Sequence, residues 1–189
     1  MNHALGRLVL TDYAPFVPIV GKAYMARPMF EPAAVASWRA LAKHTEQMFV
    51  QILSRIKVEF LSKDAYGGDY GAMISDIKRN RRLQVWTGES KHGVWTPEQN
   101  WQFRAVHDYM IHFGGEHSFT LRGEIGAYNR HVKTVPPAAR PALFTEVVGQ
   151  VCSFFYLKGK FPPQKTAFLY GFDYVDVGKV NEVEYRKNF

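Results

Sequence analysis

The segment from residue 35 to residue 56 has the strongest periodicity in the chain, and it limits the fold more than any other feature. Its apolar and small side chains recur every three or four residues, which places them on one face of an α-helix. The positions on that face are Val35, Trp38, Leu41, Thr45, Met48, Phe49, Ile52, Leu53 and Ile56. Pro32 precedes them, where a proline favours a helix start. We therefore expect a long amphipathic helix that packs against a globular core.

The other patterns predict an α+β fold that is predominantly α-helical, with several packed helices and a small β-sheet or hairpin. Two short runs, 57–61 and 83–86, are typical of strands that can pair, and a short helix is expected between them at 70–80. Further helices are expected at 96–113, 118–132 and 138–157. Thr96 and Pro97 are typical of a helix start, and Gly114 and Gly115 of a helix end.

The chain ends are less regular. Three prolines within residues 1–30 (Pro15, Pro18 and Pro28) predict an irregular arm that packs on the body, and the tail contains short β-like runs. We find no stretch with the composition of an interdomain linker. The sequence therefore predicts one domain, residues 1–189, with a helical region at 96–158.

Composition excludes two classes of protein. The longest apolar runs fall short of the roughly 20 residues that span a membrane, which excludes an integral membrane protein and leads us to expect no membrane partner. The single cysteine, Cys152, excludes an internal disulfide and agrees with a reducing compartment. The first residues lack the features of a secretory signal, so we expect a cytoplasmic location. The sequence does not indicate an oligomeric state.

The net charge of +7 is spread along most of the chain, and its densest cluster follows the helix expected at 70–80. Cations at that position also stabilise a helix C-terminus. A phosphate-binding surface at Arg79, Arg81 and Arg82 is the alternative, and it would make nucleic acid a partner. No recognised nucleic-acid motif supports it.

Four of the seven histidines (His107, His112, His117 and His131) lie within 25 positions of one another. Imidazole and carboxylate groups are ligands for zinc and iron, and two histidines with one carboxylate suit an open metal site. His107 and His112 are about 140° apart around an ideal α-helix, so they do not share a face. The glycine pair after them makes a distorted last turn inexpensive, and a distorted turn would let the two rings converge.

Two further segments present polar groups where a core face is expected. Glu124, Tyr128 and His131 fall on one helical face. Glu146 lies in an otherwise apolar stretch, where a buried carboxylate must be paired, protonated or metal-bound. A polar pair of Glu124 with His131, or a salt bridge from Glu146 to Arg104 or Arg122, would explain the same residues without a metal.

Around these residues the sequence resembles the catalytic core of the iron- and pterin-dependent aromatic amino acid hydroxylases. The matching pieces, over about residues 96–155, are Thr96-Pro97-Glu98, His107-Asp108 with His112, Ser118-Phe119 with Glu124-Ile125-Gly126, and Thr145-Glu146. The resemblance implies that His107, His112 and Glu146 bind iron and that Glu124 supports them. Ile111 replaces the glycine usual in that family, and no pterin-binding residues can be placed on this chain. The wider pattern is also similar to uncharacterised bacteriophage proteins, which would place the chain in the host cytoplasm or the virion.

These observations predict a metal-dependent enzyme with a mononuclear site of two histidines and one glutamate, holding Fe(II) or zinc and acting on a small molecule. Iron would serve oxidation of an organic substrate, and zinc would serve hydrolysis. Glu124 or His131 would act as general base, and Tyr128 would bind substrate or donate a proton. An HD-type phosphohydrolase is a weaker alternative, since its other ligands would come from His44 or His92 and from Asp173 or Asp176. The third possibility is a non-catalytic phage structural or host-interaction protein with a buried His/Glu network.

Overall fold

The computed structural model describes residues 13–189, and it confirms the predominantly helical α+β fold. The α-helices are α1 (Phe16–Ala26), α2 (Val35–Leu53), α3 (Tyr70–Asn80), α4 (Pro97–Val106), α5 (Leu121–His131), α6 (Arg140–Leu143), α7 (Gln150–Tyr156) and α8 (Glu182–Tyr185). The strands are β1 (Lys57–Leu61) and β2 (Arg82–Trp86). Short 3-10 helices cover Pro32–Ala34, Pro137–Ala139 and Arg186–Asn188.

Helix α2 is the central element, as its periodicity predicts. Trp38, Leu41 and Ile52 are fully buried on its inner face. The first half of α2 packs into the larger apolar cluster, with α1, α5 and the chain around α6 and α7. Its second half, from Phe49, packs into a smaller cluster with α3 and the two strands. One long helix therefore connects the two parts of the core.

The expectation of an irregular arm is wrong for residues 16–26, which form α1. Pro15 lies just before the helix and Pro18 lies in its first turn, where a missing backbone N–H removes no intrahelical hydrogen bond. The apolar face of α1 packs on α7: a Cβ at Gly21 would lie 2.7 Å from the Cβ of Tyr156. The part of the expected arm at residues 1–12 lies outside the described residues.

The two strands pair in parallel, from Lys57 opposite Arg82 to Leu61 opposite Trp86, so the hairpin alternative is wrong. Helix α3 makes the crossover that a parallel pair requires. Asp76 on α3 fixes this unit, since it accepts hydrogen bonds from Nε and a terminal nitrogen of Arg82, both at 3.1 Å.

The β-like runs that the sequence predicts in the tail do not form named strands in the described residues. Within the described part of the chain, its residues make two isolated bridges instead, Phe30 with Thr166 and Phe172 with Val180. No helix of residues 13–189 is long and apolar enough to cross a membrane.

Two stretches of π-helix interrupt the helical core. The first, His107–Phe113, continues α4, and the second, Phe144–Gly149, joins α6 to α7. Both fall inside helices that the sequence predicts as continuous. π-Helical turns are rare and occur often at functional sites.

Candidate metal centre

The first π-helix brings His107 and His112 together. In a π-helix the backbone hydrogen bond joins residues five apart, so the two histidines lie one turn above each other. Their Nε2 atoms are 3.0 Å apart, and the rings meet edge to face with centroids 4.6 Å apart. The expected distortion before Gly114 is confirmed, and it takes the form of a π-helix.

Helix α5 supplies the third member of the site, Glu124. The helix begins at Leu121, after Thr120, whose hydroxyl accepts the backbone N–H of Gly123. Thr120 thus caps the helix in place of Ser118, at which we expected the start. Glu124 Oε2 lies 3.3 Å from His112 Nε2 and 3.6 Å from His107 Nε2. The first turn of a helix also favours a negative charge.

His107, His112 and Glu124, here called the metal triad, each offer one ligand atom, and these atoms lie within 4.8 Å of one another. Within residues 13–189 no other group of three histidine, cysteine or acidic residues meets this condition. The triad is therefore close enough to hold a metal ion. The HD-type arrangement with His44 or His92 and a tail aspartate is not formed among these residues.

His112 is held by a contact on the far side of its ring. Its Nδ1 lies 2.7 Å from the backbone carbonyl oxygen of His117, so Nδ1 carries the proton and donates it. The lone pair of His112 is then on Nε2, which faces the triad. Gly126 lets the His117 loop approach α5, because a Cβ there would lie 2.9 Å from Nδ1 of His117. His117 is a loop residue, as expected, and its carbonyl contact is one the sequence did not indicate.

His107 is held between aromatic rings. It stacks on Phe103 at 5.9 Å with an angle of 10° between the planes, and its Nδ1 lies 3.4 Å from Nδ1 of His131. His131 is almost completely buried, with 1% of its surface exposed. The role of general base that we expected for His131 does not fit this position, since its ring contacts the back of His107 and solvent cannot reach it.

The pKa values of the three triad residues are shifted in different directions. Burial by itself would raise the pKa of Glu124, but the close contacts with His107 and His112 lower it to about 2. Burial lowers the pKa of His107, whereas the contact with Glu124 outweighs burial at His112 and raises its pKa. Glu124 is therefore a stable anion facing two imidazoles, of which His112 accepts a proton more readily.

The spacing within the triad suits one metal ion. Two ligand atoms that are each about 2.1 Å from a metal are about 3.0 Å apart at a right angle and about 3.4 Å apart at a tetrahedral angle. The three separations in the triad are 3.0, 3.3 and 3.6 Å. If both imidazoles are neutral with their protons on Nδ1, the three facing atoms are electron-rich, and a cation between them would relieve their repulsion.

Asp108, next to His107, lies partly buried beside the triad. Burial raises its pKa to about 6, against the attraction of His112 and together with the repulsion of Glu124. The carboxyl group thus stays partly protonated near neutral pH.

Glu146, expected as the third ligand, is not part of the triad, and Glu124 takes the place that we expected for it. Glu146 Oε1 accepts a hydrogen bond of 2.7 Å from Gln164, which in turn accepts one from the fully buried Asn100. Burial raises the pKa of Glu146 to about 7, although Arg104 acts against this. Arg104 donates to the carbonyls of Trp86, Gly88 and Glu89, so neither it nor another described cation forms a salt bridge with Glu146.

Tyr128, expected to contact substrate, lies in the apolar core. Its side chain is fully buried, meets Phe144 edge to face, and donates its hydroxyl to the carbonyl of Tyr174. Burial raises its pKa strongly. A hydroxyl that is buried and already bonded is structural, so the expected catalytic role does not fit.

The three arginines expected at a nucleic-acid surface have different surroundings. Arg82 is held by Asp76, and Arg81 donates to the carbonyl of Arg55 at 2.6 Å. Arg79 is exposed in the last turn of α3, where a cation favours the helix end. Nucleic-acid binding at these residues stays a prediction.

Comparison with known proteins gives no relative. No protein-family model matches the sequence, and no curated protein or solved structure matches the chain. The case for a function therefore depends on the geometry of the triad.

Proposed function

We propose that this chain is a metal-dependent enzyme whose mononuclear centre is held by His107, His112 and Glu124. The observation that carries the proposal is the convergence of three ligand atoms with separations of 3.0 to 3.6 Å. Structural zinc sites close all four positions with protein ligands, whereas catalytic sites use three and leave a position open. Three ligands here fit the second kind.

The types of ligand atom limit which metal ions can bind. Two imidazoles and one carboxylate suit Fe(II) or zinc, and the only thiol, Cys152, is buried in the core, where its pKa is raised to about 12. When bound, iron would supply oxidation by O₂ and zinc would supply an activated water for hydrolysis. The resemblance to the hydroxylases favours iron, and the substrate is a small molecule in either case.

The chain's own residues have defined tasks in this proposal. His117 fixes the tautomer of His112 through its carbonyl, and Glu124 supplies the negative charge that retains a divalent cation. The exposed fractions of the side chains, 12% for His107 and 18% for Glu124 against 1% for His112, put the open side of the centre at His107 and Glu124.

A non-catalytic protein with a buried polar network is the second candidate. The observation that favours it is the raised pKa of His112, which lets a protonated His112 pair with Glu124 without any metal. In that case the chain would serve a structural or host-interaction role.

Elemental analysis of the untagged, purified protein separates the two candidates. We expect about one equivalent of iron or zinc, or uptake of one equivalent after anaerobic addition of Fe(II) or zinc. The variant His107→Ala/His112→Ala should lose this metal, while His117→Ala, which removes no ligand atom, should keep it. Absence of stoichiometric metal under all these conditions would contradict the proposal and leave the buried network.

A further inference from the structure

We infer that His131 is a positioning residue for the metal centre, which holds His107 with its Nε2 directed at the metal. This inference rests on the proposed function, because it explains how that centre is organised. The site has two histidine ligands, and each needs a contact on its outer nitrogen to fix ring orientation and tautomer. For His112 that contact is the carbonyl of His117, whereas for His107 the structure provides a third histidine.

Two aromatic rings, those of Phe103 and His131, fix the position of His107. The centroids of Phe103, His107 and His131 are 5.6 to 5.9 Å apart, and their planes are within 31° of parallel. Phe103 and His131 therefore confine the His107 ring from two directions. Because Phe103 stacks on His107 and His131 contacts its Nδ1 edge, His107 cannot turn without displacing one of them.

A metal at Nε2 of His107 would require one direction for the hydrogen bond between the two imidazoles, with His107 as the donor. Nδ1 of His107 and Nδ1 of His131 are 3.4 Å apart, and one of them must be the donor. The His131 ring is almost completely buried, so its Nδ1 has the Nδ1 of His107 as its partner and not water. When its Nδ1 accepts the proton of His107 Nδ1, the lone pair of His107 is on Nε2, the atom that faces His112 and Glu124.

The other side of His131 explains why it acts through His107. Its Nε2 is buried and has no hydrogen-bond partner among the described residues. The nearby His44 on α2 also has a buried Nε2 without such a partner. With no route to solvent or substrate, His131 influences the centre only by holding its neighbour. Contacts of this kind change metal affinity by about 10- to 100-fold.

Two substitutions separate the hydrogen bond from the packing. His131→Phe keeps an aromatic ring beside Phe103 and removes the acceptor, whereas His131→Asn keeps an acceptor at the position of Nδ1 and removes the ring. Titration with Co(II), followed by its visible absorption, gives both the affinity and the ligand geometry. We expect His131→Phe to bind Co(II) about 10- to 100-fold more weakly with an altered spectrum, and His131→Asn to stay within about threefold of wild type.

A purely structural role for His131 predicts the reverse order, with His131→Phe close to wild type and His131→Asn impaired. That order, or equal affinities in the two variants, would overturn the inference. Thermal unfolding of the metal-free variants shows that each is folded before titration.

A second measurement does not depend on metal binding. Nitrogen-15 NMR of the metal-free protein reports the tautomer of His107, which we expect to carry its proton on Nδ1 in wild type and in His131→Asn but to lose this preference in His131→Phe. An unchanged tautomer in His131→Phe would overturn the inference. Failure of wild type to bind Co(II), with this tautomer pattern intact, would instead contradict the proposed function.

Discussion

Glu124, which is partly buried, and Glu146, which is buried, both lie on helical segments of the core, but their surroundings have opposite effects on their charge. Glu124 faces Nε2 of His107 and of His112, and these contacts lower its pKa to about 2 despite burial. Glu146 faces the amide of Gln164, and burial raises its pKa to about 7. The first carboxylate is an anion throughout the physiological range, and the second takes up a proton near neutral pH.

The comparison shows that burial alone does not make a metal ligand. A neutral amide stabilises a carboxylate less than an imidazole that can become charged, so burial dominates at Glu146 and the partners dominate at Glu124. A divalent cation requires the permanent anion. This favours Glu124 as the ligand on electrostatic as well as geometric grounds.

The largest expected effect comes from exchanging each carboxylate for an amide. Structural zinc sites with four ligands are worth about 10–16 kcal/mol, which is roughly 2.5–4 kcal/mol for each ligand. We therefore expect Glu124→Gln to weaken metal binding by about 100- to 1000-fold, measured by competition with a chelator. Glu146→Gln is the matched control and should bind metal as wild type does. Loss of metal in Glu146→Gln alone would assign the third ligand to Glu146, as the hydroxylase resemblance implies.

The pH dependence of stability should differ in sign between the two residues. Glu146 has a folded pKa of about 7, above its ordinary 4.5, so the folded state holds a proton that the unfolded state releases. Its contribution is present below pH 4.5 and is lost as the pH rises to 7, a change of about 3 kcal/mol in the free energy of unfolding. For Glu124 the folded pKa of about 2 lies below 4.5, so its contribution is present above pH 4.5 and is lost as the pH falls towards 2.

Denaturant unfolding of wild type and Glu146→Gln between pH 4.5 and 8 measures the first of these effects. Since all other groups titrate equally in both proteins, the difference between the two free energies isolates Glu146. We expect wild type to lose stability relative to the variant as the pH rises. A constant difference across this range would mean that Glu146 is not held in an environment that favours its neutral form.

The smallest effect is expected at Tyr128, a third buried polar group of the core. Tyr128→Phe removes the hydrogen bond to the carbonyl of Tyr174 and keeps the ring, so the free energy of unfolding should fall by about 1 kcal/mol. Metal affinity should not change, because the hydroxyl is directed away from the triad to the tail. A tenfold or larger change in metal affinity would show that Tyr128 contributes to the metal centre.

The sequence predicts most of the regular structure, because local signals specify it. The periodic face of α2, both strands, α3 and the start of α4 at Thr96 are confirmed at or close to their expected limits. The capping box of Thr96 and Gln99 is formed as well. The sequence does not predict helix α1 because of its prolines. A proline ends a helix when it lies in the interior but not when it lies in the first turn. The sequence does not indicate whether β1 and β2 pair in parallel, because the direction of pairing depends on how α3 packs.

At the candidate site, the sequence indicates the participants but not their arrangement. The sequence predicts His107 and His112 as ligands but Glu124 only as a supporting residue or general base, with Glu146 as the third ligand. Periodicity cannot predict a π-helix, which changes the face that each later residue occupies. The choice between Glu124 and Glu146 depended on long-range partners, such as Gln164, that lie far from either residue in the sequence. The carbonyl of His117 could not be foreseen, since a backbone contact leaves no pattern in the side chains.

The π-helix at His107–Phe113 affects which spacing of two histidines in a sequence can place both rings at one site. A π-turn accommodates one residue more than an α-helical turn, so a pair of histidines five apart in a π-helix and a pair four apart in an α-helix both place two rings on one face. Deleting one residue between His107 and His112 would therefore turn the π-helical pair into an α-helical pair, and both rings would stay on the same face of the helix. Two histidines can therefore face one another at either of two spacings, and a search with one fixed spacing would miss the sites that use the other.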